Sequence, residues 1–205
     1  MASRIMHLAV SERIAEYFSL DLHRFNLGNL LPDLHKNTRE SKAISHFRIE
    51  REPYEDATTD EYQYFDSNSF LQKYKRKMDD DLYLGYYCHL ITDELWIQNV
   101  YIKYMRDKDR KKRIDQQNNY YHDFSRLNQI IKEKYNLRMN IVFEKAQISE
   151  IDDNKTSELK IALENDFKTK YDDLDLLLFE YEDIINFVKD ASNAIIENIE
   201  NIKLR

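Results

Sequence analysis

His89 and Asp93 lie four residues apart within a segment, from about Leu82 to Met105, whose apolar spacing predicts a helix. At that spacing an imidazole and a carboxylate project from one face about one turn apart, where they can chelate a metal ion or form an ordinary helix-surface ion pair. Leu84, Cys88, Ile91 and Leu95 make one apolar stripe of this helix, while Gly85, His89, Asp93 and Trp96 make another. A helix apolar on most sides is buried, and a buried His–Asp pair needs partners that a metal would supply to both at once. Gly85 costs a helix roughly 1 kcal/mol against alanine, and it leaves room beside the pair for another chain segment or a ligand.

The remaining candidates fall at element boundaries. His7 lies at the margin of an apolar helical face formed by Met6, Val10, Ile14, Tyr17 and Phe18. Asp33 follows the bend Asn26-Leu27-Gly28-Asn29-Leu30-Leu31-Pro32, and His46 precedes Phe47. Each has a plain structural role open to it: a core-margin histidine, an N-cap and an aromatic-packed histidine. His122 and Asp123 open a further helical pattern, whereas His23 and His35 read as exposed bystanders, His35 being within reach of a substrate phosphate.

These residues need a scaffold, and composition points to helices. Two Gly and two Pro in 205 residues are too few for the many tight turns of a sandwich, a barrel or a Gly-rich phosphate loop. The expectation is an all-α, multi-helix bundle with a metal site on its inner wall, one domain over 1–205 with its motifs in 1–125 and C-terminal helices in 126–205. Residues 48–68 read as a long ordered loop, with Ser67 or Asn68 capping a short helix and Asp79 to Asp81 offering the next cap. Arg106 to Arg113 is a solvated basic run, Tyr120 to Tyr135 a helix, Met139 to Phe143 extended, and the last 50 residues helical. The face Ile184, Ile185, Val188, Ala191, Ile195, Ile199 and Ile202 suits packing within the chain or pairing with a second copy.

The 42% hydrophobic content excludes a disordered chain despite 34% charged residues, and the net charge of −7 argues against general nucleic-acid affinity. Nothing approaches the 18 apolar residues of a membrane span. The lone Cys88, with Glu12, Arg13 and Glu16 where a signal peptide would be apolar, makes the cytoplasm the expected compartment.

Taken in order, His7, Gly28-Asn29-Leu30-Leu31-Pro32-Asp33, Ser45-His46-Phe47 and Tyr83-Leu84-Gly85-Tyr86-Tyr87-Cys88-His89-Leu90-Ile91-Thr92-Asp93 resemble the motifs of the zinc-dependent phospholipase C family, which is related to zinc-dependent single-strand nucleases. The resemblance covers roughly the first half of the chain and implies a helical bundle that hydrolyses phosphate esters. It implies Asp33, His46, His89 and Asp93 as ligands of one metal and His7, with Asp93, at a second. Zinc is the metal it points to first, and the same nitrogen and oxygen set suits iron, manganese or nickel. Asp33 would accept a proton from the attacking water. The family's further His and His-x-x-x-Glu pair do not follow Trp96-Ile97-Gln98-Asn99, so a three-metal site is not expected, and His122 and Asp123 are the downstream residues able to substitute.

The adjacent His122-Asp123 also resembles the HD-domain phosphohydrolases, a second all-helical reading. A third is a helical interaction protein with a structural or vestigial metal site. For a catalyst, a small soluble phosphate ester is the expected substrate. The aromatics from Tyr54 to Tyr64 and Tyr83, Tyr86 and Tyr87 would either wall its pocket or fill the core.

Overall fold

In a computed structural model, residues 1–35, 39–49, 64–106 and 110–203 are described. Among them the chain forms α1 (Arg4–Ala15), α2 (Leu22–Leu30), a 3-10 helix (Leu31–His35), α3 (Arg39–Ser45), α4 (Ser67–Tyr74), α5 (Asp81–Trp96), α6 (Arg110–Lys134), α7 (Thr156–Lys168) and α8 (Tyr181–Lys203). Strands β1 (Arg48–Ile49) and β2 (Tyr64–Phe65) pair antiparallel as a two-rung clasp. The architecture is mostly helical, as the shortage of turn residues implied.

Helix α5 is the axis of the molecule. Every residue from Leu82 to Asp93 is buried, so the helix has no solvent face, and α1, α2, α4 and α8 all pack on it. Asp80 caps its start by accepting the Leu82 amide, and Asp66 rather than Ser67 or Asn68 caps α4. Beyond Trp96 the helix continues as a ten-residue π-helical segment, Ile97–Arg106.

Both glycines serve the contact between α2 and α5, and neither makes a turn. A Cβ on Gly28 would stand 1.9 Å from the Leu82 carbonyl oxygen, and one on Gly85 would stand 2.1 Å from that of Phe25. The stretch read from sequence as a bend is therefore helix through Leu30, with Gly28 in its last turns; Pro32 acts afterwards, in the 3-10 helix. The room left by Gly85 is filled by the α2 backbone.

Other expectations were displaced by packing. Met139 to Phe143 has no ladder partner among the described residues and is irregular, and α6 starts at Arg110, earlier than Tyr120. The apolar face of α8 is consumed inside the chain: Ile184, Val188, Ala191, Ile195 and Ile199 are buried, and α8 packs on α1 and α5. Tyr83, Tyr86 and Tyr87 are core residues, Tyr86 stacking on Phe70 with ring centroids 4.5 Å apart. Most of the Tyr54 to Tyr64 aromatics lie outside the described residues. No helix among the described residues is long and apolar enough to cross a membrane.

Candidate metal centre

Four elements bring His7 (α1), Asp33 (the 3-10 helix), His46 (just after α3) and His89 with Asp93 (α5) together in the interior. The ligand atoms of His7, His89 and Asp93 lie within 4.8 Å of one another, and so do those of Asp33, His46 and His89. All five residues are buried.

Ring orientation decides what the two central histidines can do. His89 donates its Nδ1 proton to the Asn29 carbonyl at 2.8 Å, an oxygen in the last turn of α2. His46 donates its Nδ1 proton toward the Lys42 carbonyl at 3.2 Å, with Ser45 Oγ at 3.0 Å from the same nitrogen. With the proton on Nδ1 in both neutral rings, each presents its Nε2 lone pair inward, where the two nitrogens face each other at 3.2 Å. Asp93 Oδ2 stands 3.5 Å from each, buried and without a hydrogen bond. In that tautomer two lone pairs and a carboxylate oxygen cannot satisfy one another. Donors bound tetrahedrally to one zinc ion at about 2.0–2.1 Å stand about 3.3 Å apart, so this triangle fits one coordination face. The backbone carbonyls behind both rings are the outer partners that metal-ligating histidines ordinarily have.

The other Asp93 oxygen faces α1. Oδ1 accepts the Ala2 amide at 2.8 Å and lies 3.4 Å from His7 Nε2. The His7 ring stacks on His89 with centroids 3.9 Å apart, and neither of its ring nitrogens makes a hydrogen bond. Asp93 thus presents one oxygen to His46 and His89 and the other to His7, the disposition of a carboxylate able to serve two ions.

Electrostatics favours the ligand forms. Burial, reinforced by the neighbouring His89, lowers His7 to about 4 and His46 to about 3, so both are neutral at physiological pH. Burial alone would raise the Asp93 carboxyl, but His7 and His89 outweigh it and hold it well below the usual range. Neutral imidazoles beside an ionised carboxylate are the states a metal requires. An unfolded chain would protonate these histidines near 6.5 while the folded one resists until about 4 and about 3, so protons bind preferentially to the unfolded state as pH falls. Metal-free protein should accordingly lose on the order of 2 kcal/mol per histidine between pH 7 and 5. Urea midpoints at the two pH values would show the fall; equal midpoints would contradict it.

Three supporting residues lie within the motifs, but the sequence assigned them no role of their own. Asn29 joins α1 through Nδ2, donating to the His7 carbonyl at 3.0 Å and to Ser11 Oγ at 2.6 Å, while its own carbonyl orients His89. Ser45 donates to the Pro32 carbonyl at 3.0 Å, tying His46 to the segment that carries Asp33. Phe47 has φ 51°, a left-handed conformation unusual for a bulky residue, in the turn that links the end of α3 and His46 to β1. The Asn29 contribution was hidden because its acceptor is a backbone carbonyl, common to every residue type.

His122 and Asp123 are not part of this centre. The Asp123 carboxylate accepts the backbone amides of Leu177, Leu178 and Phe179 at 2.6–2.9 Å and faces His122 Nδ1 at 2.9 Å. It anchors the segment before α8, and the HD-type arrangement is not assembled. Asp123→Ala should cost about 2–3 kcal/mol and expose the 177–179 amides to hydrogen exchange, leaving metal content unchanged; loss of metal would contradict this assignment. His23 is half-buried and bonds the Asn140 carbonyl at 2.9 Å, and the His35 side chain lies outside the described ones.

Compared with protein-family models, with curated proteins and with solved structures, the chain matches none.

Proposed function

We propose that this protein is a metal-dependent hydrolase of phosphate esters, with zinc as the first candidate metal and iron or manganese next. The observation that carries the metal is the buried triangle of His46 Nε2, His89 Nε2 and Asp93 Oδ2, whose edges of 3.2, 3.5 and 3.5 Å match the spacing of donors on one ion. The ester chemistry is supported by the order of motifs, which resembles that of the zinc-dependent phospholipases C. His46, His89, Asp93 and Asp33 would hold one ion, and His7 with the second Asp93 oxygen would hold another. A divalent ion there would supply Lewis-acid charge toward a phosphoryl group and acidify water. Asn29 and the Lys42 carbonyl fix the ring tautomers, the buried surroundings limit water access, and Asp33 would receive the proton released at attack.

One observation favours a second reading. Every proposed ligand is at most 3% exposed, which also suits a structural ion in a helical interaction protein. Metal-loaded protein assayed against p-nitrophenyl phosphate and bis-p-nitrophenyl phosphate separates the two. Turnover that disappears in Asp93→Asn supports the hydrolase, and stoichiometric metal with no turnover of either ester supports the structural ion.

A further inference from the structure

We infer that Arg4 is the phosphate-binding cation of this centre, held in place by Asp166. The inference rests on the hydrolase reading and adds an anion-recognition residue to it. An acidic chain whose buried centre contains Asp33 and Asp93 repels a phosphate unless a cation meets it at the approach. Arg4 precedes His7 by three residues on α1 and so projects from the same face as a proposed ligand. Its charge acts on Asp33 as well as on Asp166. The proposed ligands are buried, whereas the Arg4 and Asp166 side chains reach solvent, 13% and 20% exposed.

The contact between Arg4 and Asp166 uses one edge of the guanidinium. Arg4 Nε donates to Asp166 Oδ2 at 2.6 Å, fixing the plane of the fork, while the two terminal nitrogens supply the donors suited to two phosphate oxygens. Asp166 lies near the end of α7, which packs against the 3-10 helix bearing Asp33, so the orienting carboxylate and the proposed ligand move as one unit. Lys42, one turn before His46 on α3, acts on that histidine from another element and adds positive potential.

The test is equilibrium binding of inorganic phosphate to wild type, Arg4→Met, Arg4→Lys and Asp166→Asn, with and without bound metal, with metal content and circular dichroism recorded for each. The expected result is 10- to 100-fold weaker phosphate binding in Arg4→Met at unchanged metal content. Arg4→Lys should recover only part of the loss, and Asp166→Asn should bind phosphate at least as tightly as wild type because it retains an oxygen acceptor and removes a competing charge. Folded, metal-loaded Arg4→Met that binds phosphate like wild type would overturn the inference, as would wild type that binds no phosphate in either form. Should wild type bind no metal yet bind phosphate in an Arg4-dependent way, the metal reading fails and the role of Arg4 stands.

Discussion

Gly28→Ala and Gly85→Ala are each expected to destabilise the protein by more than about 3 kcal/mol, enough to leave a marginal domain largely unfolded. The added methyl would meet backbone, 1.9 Å from the Leu82 oxygen in the first case and 2.1 Å from the Phe25 oxygen in the second. Neither oxygen belongs to a side chain that can rotate away, so α2 and α5 must separate along their whole contact. Ordinary overpacking costs about 1–3 kcal/mol because side chains yield, and this exceeds it because helices must. The same displacement would move the Asn29 carbonyl from His89 Nδ1, now 2.8 Å away. Any surviving folded fraction should therefore bind metal more weakly. Urea unfolding of both variants gives the answer, and a midpoint within experimental error of wild type would contradict the close crossing.

The second large effect is expected from Asp93→Asn, which keeps shape while removing the charge two ions would share. The variant retains an oxygen to accept the Ala2 amide, so the helical circular dichroism should be preserved. Metal affinity should fall by at least about a hundredfold, since an amide is a poor replacement for an ionised carboxylate ligand. Wild-type protein with metal at 100 times its dissociation constant gains about 2.7 kcal/mol of stability by mass action, and the variant should gain almost none under the same conditions. Thermal unfolding with and without metal measures this directly. An Asp93→Asn protein stabilised by metal as strongly as wild type would remove Asp93 from the ligand set.

How far the sequence could be read depended on what each signal encodes. The burial of α5 was legible because its apolar residues leave no polar stripe, and His89 with Asp93 was legible because helical spacing alone brings them to one side. His7 and His46 needed the order of motifs as a guide, since the contact of α1 and α3 with α5 is tertiary and leaves no periodic trace. Gly28 was misread because glycine marks both turns and close helix crossings, and only the opposing helix distinguishes them. Asp123 was misread for a comparable reason. A His-Asp dipeptide looks the same whether its carboxylate faces a metal or three backbone amides.

The central claim is that His46, His89 and Asp93 converge on a metal ion, and metal content measured by inductively coupled plasma mass spectrometry tests it most directly. Untagged wild type, His89→Ala and Asp93→Asn would be compared after reconstitution with zinc, iron or manganese and removal of free ion, each checked for helical content. At least one tightly held ion per wild-type chain, absent from both folded variants, is the predicted result. Wild-type protein that retains no metal after reconstitution with any of the three would contradict the claim and leave the buried histidines as core polar groups.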